Sequence, residues 1–184
     1  EEEIEPVRQR INRLREKLIT IDEITYKEHK VTGFENHLLQ LCMSDFDGDF
    51  DAYSNLIDKK ILEIENRVGN RKKIVLAYIG VPPMMSDLYD YVETLDARFT
   101  YNEVQREFAF PRAMEAKDIY EQYEDYTYPY TLQFRIAEIK KQLKERKIDA
   151  VIHYTQAFCH KAVQDIVIKK EIDLPILTIE GDKS

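Results

Sequence analysis

Four short apolar runs, residues 74–79, 98–104, 148–154 and 176–179, limit what the chain can become after Lys73. Each has strand length, and turn residues such as the GVPP after Ile79 or Pro175 before Ile176 mark its borders. Helical patterns lie between them. In the clearest, Leu132, Ile136, Ile139 and Leu143 recur at i, i+4, i+7 and i+11 and form one apolar face. Alternating strand and helix requires right-handed crossovers, which make neighbouring strands parallel. The fold class is therefore α/β, with a parallel sheet of about four strands and flanking helices. Ligands of open parallel sheets bind outside the carboxyl ends of the strands. This draws attention to residues 80–86, 103–112, 155–160 and 181–184.

The first third reads differently. Ile4, Val7, Ile11, Leu14, Leu18 and Ile21 are spaced 3, 4, 3, 4, 3, with Pro6 in the first turn where its missing N–H costs little. The stripe is shorter than three heptads, which favours packing on the rest of the protein over an autonomous coiled coil and leaves a dimer open. Thr32 is placed to cap a second helix, and Asp49 or Asp51 a third. The aspartates of DFDGDFD resemble a calcium loop, but Gly48 misses the sixth position and Leu56 stands where a bidentate Glu is needed. A capped, solvated turn is the better reading. The expected division is a helical segment over 1–70 and an α/β lobe over 71–184.

Composition narrows the function classes. A chain of 184 residues buries roughly 70% of its unfolded surface, so it needs neither a disulfide nor a metal merely to fold. Its two cysteines need another explanation. With 27 basic against 35 acidic side chains, its formal charge of −8 disfavours nucleic acid, whose phosphates need clustered Lys and Arg. The apolar residues are dispersed well short of a membrane span, and EEEIEP inverts the order of a signal peptide, so a cytoplasmic protein without membrane contact is expected. A start without Met and a stop at EGDKS directly behind a strand suggest an excised piece.

Candidate chemistry falls at the strand ends. GVPPMMSD has one glycine and two prolines, a poor phosphate cradle, and the chain has no P-loop, HExxH or paired CxxC. Glu103 occupies the place of a ribose-binding acid, and Arg106 and Arg112 in the expected loop after the second strand can meet phosphate or carboxylate. Cys159 in YTQAFCH is open to three readings: a metal ligand, a nucleophile assisted by His160 at the start of the next helix, or a packed small residue. Cys42, within HLLQLCM, reads as core, and His153 as structural. Tyr120, Tyr123, Tyr126, Tyr128 and Tyr130 can line a pocket or cover a core edge.

Taken together, GVPPMMSDLYDYVE, YNEVQREFAFP, DIYEQYEDYTYPY, IDAVIHYTQAFCHKAVQDI and LPILTIEGD resemble the second α/β half of the 2-hydroxyacyl-CoA dehydratase family, which also includes benzoyl-CoA reductase subunits. ITYKEHKVTGFENHLLQLCMSDF resembles the linker of the family's dehydratase-activator branch. The resemblance implies a flavodoxin- or Rossmann-like lobe and, in the full-length protein, an iron–sulfur cluster held between lobes by cysteine thiolates. It also implies ATP-primed radical dehydration of an acyl-CoA, or electron transfer. Cys159 matches the cluster cysteine, with Tyr154 and Gln156 beside it and His160, Glu103 and Arg106 as further cofactor-facing candidates. One thiolate cannot hold a cluster. The resemblance therefore implies a preceding α/β lobe or partner subunit that brings more cysteines, an ATP-dependent activator module, and a fragment that is inactive and metal-free alone. The rival reading is a non-catalytic ligand-binding or scaffold lobe in which Cys159 is packed.

Overall fold

The computed structural model of the chain describes residues 3–109, 112–124 and 131–181, without the side chains of His160 and Lys161. Helices α1 (Ile4–Lys27), α2 (Gly33–Cys42) and α3 (Phe50–Glu65) precede the sheet. Then come β1 (Ile74–Gly80), α4 (Leu88–Thr94), β2 (Ala97–Asn102), α5 (Glu103–Phe108), α6 (Ile119–Glu124), α7 (Leu132–Glu145), β3 (Ala150–Thr155), α8 (Gln164–Glu171) and β4 (Ile176–Glu180). The sheet is parallel throughout, in the order β2-β1-β3-β4. The chain leaves β1 for β2 on one side and comes back to β3 on the other, so the strand order switches between β1 and β3. In folds of this order, the crevice at that switch point receives the ligand.

Two-residue alternation sorts β1 and β3 onto two covered faces, and a register shift of β2 opposite Leu76 and Ala77 puts Phe99 and Tyr101 on opposite ones. Ala77 and Ile79 of β1 pack with Tyr101, Ile136, Ile139 and Leu143 on the α7 side. Leu76 and Tyr78 pack with Tyr89, Phe99 and Tyr154 on the α4 side. A third cluster joins α1, α2 and α3 through Leu14, Leu18, Ile21, Leu39, Ile57 and Ile64. The α1 stripe thus packs against its own protein from Ile11 onward, while Ile4 and Val7 stand exposed.

The helical layer is fastened to the sheet. Gly33 brings α2 so close to β2 that a Cβ there would lie 2.7 Å from the Phe99 carbonyl oxygen. Buried Asp22 of α1 pairs with Arg146 at the end of α7, and Arg146 also donates to the Thr100 carbonyl of β2. Arg98 of β2 donates to the His29 carbonyl at 3.1 Å.

Caps follow the expected logic. Thr32 and Glu35 form a capping box, and Asp49 accepts from the Asp51 and Ala52 amides at the start of α3. Asp45 accepts from the Asp47 amide, so two aspartates of DFDGDFD serve backbone N–H groups.

Two boundaries differ from expectation. The second strand ends at Asn102 and α5 begins at once, so Arg106 stands on a helix and not in a loop. Asn102 ends the strand by accepting from the Tyr89 hydroxyl at 2.8 Å, and Glu103 turns inward. Ile148 also precedes its strand, because the Asp149 carboxylate takes the Val75 amide before β3 starts. Among the described residues, no helix is long and apolar enough to cross a membrane.

Candidate functional site

The two turns at the switch point are built from Gly80–Met85 after β1 and Gln156–Cys159 after β3. Gly80 closes β1 at φ +101°, and a Cβ there would lie 2.1 Å from the Tyr154 carbonyl oxygen, so glycine alone lets the two strand ends approach this closely. The Tyr78 hydroxyl donates to the Val81 carbonyl and holds the following turn. On the other side, the Cys159 amide donates to the Gln156 carbonyl at 3.0 Å, and the Cys159 carbonyl accepts from the Ala162 amide at 2.9 Å. Phe158 between them has φ +65° and a fully exposed ring. Gln156 spans the crevice, its Nε2 lying 2.8 Å from the Met84 sulfur.

Cys159 sits half-buried in this turn with a free thiol. Tyr154, 1% exposed, stacks near Tyr78 with ring centroids 6.2 Å apart. Its hydroxyl meets no hydrogen-bond partner among the described residues and lies where a Cβ on Gly181 would reach it at 2.5 Å. The side chain of His160 lies outside the described residues, as do Tyr126, Tyr128 and Tyr130. Tyr120 and Tyr123 are exposed.

Glu103 joins the switch point from beneath. Only 2% exposed, it accepts from the Gly80 amide at 2.8 Å and from Arg135 of α7 through both oxygens, at 2.5 and 2.7 Å. Arg106 faces elsewhere, with Nη1 3.2 Å from Glu138 and Nε 3.4 Å from Asp22. Arg112 pairs with Glu107 and lies 3.4 Å from Glu138. Gln156 and Cys159 thus share the turn after β3, Tyr154 is packed in the core beside Tyr78, Glu103 lies beneath Gly80, and Arg106 stands on the α1–α7 side.

Arg135, Gln164 and Asp165 were not singled out in the sequence, whereas His153 was read as structural. Arg135 reaches Gln164 of α8 at 2.7 Å. His153 Nδ1 lies 2.6 Å from Asp165, which also accepts from the Thr178 hydroxyl at 2.7 Å. Burial lowers the His153 pKa against the opposing pull of Asp165. Burial tends to raise the Asp165 pKa, but hydrogen bonds from Lys169, Thr178 and His153 outweigh it and hold the group down at about 2. An ionised carboxylate can only accept, so His153 Nδ1–H donates to Asp165. The available signal was Arg135, a charge inside the apolar stripe of Leu132, Ile136 and Ile139, where burial requires an acidic partner.

The sequence profile of the family described as 2-hydroxyglutaryl-CoA dehydratase, D-component, matches residues 1–184. The chain belongs to this family. No curated protein matches it significantly. Membership in the dehydratase D-component family makes this a dehydratase-like chain and focuses the question on what its crevice can hold. Among the described residues, no group of three or more His, Cys, Asp or Glu side chains is arranged to hold a metal. Cys42 packs against the helical core, where burial, Asp47 and Asp45 raise its thiol pKa. The dehydratase-like chain thus offers one free thiol, that of Cys159, in the turn after β3.

Proposed function

We propose that this chain supplies one face of an iron–sulfur and acyl-CoA site in an ATP-primed dehydratase or electron-transfer system. In this reading Cys159 gives one thiolate. The other ligands come from a preceding α/β lobe or a partner subunit, in keeping with a family defined as one component of a dehydratase. The observation that carries the reading is the position of Cys159. It is a free thiol in the turn at the carboxyl end of β3, where the strand order switches, in a chain that matches the family over its whole length. A bound cluster would supply one-electron chemistry, and its potential would respond to hydrogen bonds and burial around the sulfur. Tyr154 and Gln156 are the neighbours suited to that tuning. A reducing cytoplasmic setting agrees with two unpaired cysteines.

Anaerobic reconstitution with iron and sulfide, followed by visible absorption and iron counting, tests the reading. The chain alone should hold no stoichiometric cluster, the chain with its partner should hold one, and Cys159→Ser should abolish it. A full cluster on the isolated chain, or undiminished iron in the Cys159→Ser assembly, would overturn the proposal. The second outcome is what a scaffold lobe with a packed cysteine predicts.

A further inference from the structure

The buried and part-buried contacts beneath the switch point form a continuous chain. The Gly80 amide donates to Glu103 Oε2 at 2.8 Å, Arg135 grips both Glu103 oxygens, and Arg135 Nη1 extends to Gln164 Oε1 at 2.7 Å. Gln164 is the first residue of α8 and follows the short 3-10 helix His160–Val163 that leaves the Cys159 turn. Asp165, next to it, is held by His153 of β3 and Thr178 of β4. A second link crosses the surface from Met84 to Gln156.

We propose that Glu103 and Arg135 are positioning residues that tie the turn after β1 to the turn carrying Cys159, so that the two lips of the crevice move as one unit. Its consequence for a ligand rests on the reading of Cys159 given above; the coupling itself does not. A buried ion pair alone is weak support for stability. The arrangement contains two elements that a simple pair does not use. One carboxylate oxygen holds a main-chain amide at a positive-φ glycine, and the third guanidinium nitrogen reaches a residue on another helix. Arginine can do this because its planar fork presents separate donors to two partners, whereas a lysine ammonium acts as a single point charge.

The test compares Arg135→Lys, Gln164→Leu and Glu103→Gln in a Cys42→Ser background, at one fixed pH. Exchange of the Gly80 and Ala162 amides and the rate of Cys159 alkylation by iodoacetamide are measured. Arg135→Lys preserves the charge facing Glu103 and should keep Gly80 protected. It should speed Ala162 exchange by about tenfold as the Cys159 turn opens locally. The alkylation rate should change by roughly fivefold or more in the same variant, since the thiol sits in that turn. Gln164→Leu should reproduce the effects at Cys159 alone, and Glu103→Gln should release Gly80 as well. In the reconstituted assembly, Arg135→Lys should shift the cluster's midpoint potential at unchanged iron content. If Arg135→Lys and Gln164→Leu both leave Ala162 exchange and Cys159 alkylation within about twofold of the parent, the coupling is refuted. These two variants decide the matter even if Glu103→Gln fails to fold. Parental exchange and alkylation in both variants, with iron binding dependent on Cys159, condemns the clamp alone; Cys159→Ser with full iron condemns the ligand reading alone.

Discussion

Replacing Asp22 by asparagine removes the charge that fastens the helical layer to the sheet. Asp22 is 5% exposed; Arg146 Nη1 donates to it at 3.0 Å and Asn36 at 2.9 Å, and the second guanidinium nitrogen holds its other oxygen. Asparagine keeps the shape but turns an amide donor toward a donor and strands a buried guanidinium. Losing one partner of a buried pair costs about 3–5 kcal/mol. The lower part of that range applies here, because Arg146 still has Gln142, the Thr100 carbonyl and the Tyr26 ring at 4.5 Å. At about 2.1 cal/mol/K per residue, the 184 residues unfold with an entropy of about 0.4 kcal/mol/K, so Tm should fall by about 8–10 °C. Calorimetry of Asp22→Asn, Arg146→Leu and an Asp22→Leu/Arg146→Leu double variant measures this, with the double variant recovering part of the loss. The pH dependence supplies a sign check. Burial raises the Asp22 pKa, but the Arg146 charge and hydrogen bonds more than offset this, so the folded value lies below the unfolded one. The pair's contribution is present above about pH 3.9 and is lost as pH falls through the folded value, so the difference between parent and Asp22→Asn should shrink in acid. A Tm drop of under about 2 °C near neutral pH would refute the assignment of this pair as the fastening point.

Two further outcomes follow from a buried histidine of α2 and from the glycine that closes β1. Burial holds the His37 pKa down at about 4, so the unfolded chain binds the extra proton between about pH 6.5 and 4, and stability should fall across that window by up to about 3 kcal/mol. Urea titrations at stepped pH should show that part of the slope vanish in His37→Asn; an unchanged slope would sink the claim. Gly80→Ala forces a side chain into φ +101° and against the Tyr154 carbonyl, and should cost at least about 3 kcal/mol in urea unfolding, whereas a parental midpoint would contradict the close approach.

The sheet was legible because parallel strands buried on both faces read as continuous apolar runs, and the crossover helices between them keep one clear stripe. Leu132, Ile136, Ile139 and Leu143 show this, with Ile139 wholly buried. Strand ends were less legible. Arg98–Val104 looks like one mixed run, and what ends it at Asn102 is a tertiary contact with Tyr89, thirteen residues earlier, that no local pattern records. Local periodicity marks where helices give way to strands, but the Asp22–Arg146 pair joins residues 124 positions apart.

The crevice illustrates which part of a site sequence can supply. Cys159 could be singled out because strand ends are where ligands meet parallel sheets, a rule that needs only strand order, whereas Gln156 came from the family resemblance. Glu103 also lies at such an end, yet its oxygens turn inward to Gly80 and Arg135. Whether a strand-end carboxylate faces a ligand or the core depends on whether the opposite helix carries a buried cation. Here it does, because Arg135 occupies an interior position of α7, and an unpaired charge there would be far costlier than the loss of a surface acid. An arginine at an interior helix position is therefore a reason to reassign the nearest strand-end acid from ligand contact to internal support. By that reasoning Glu103 acts on the crevice through Gly80 and Gln164, and the groups left to face a ligand are those of the two turns themselves.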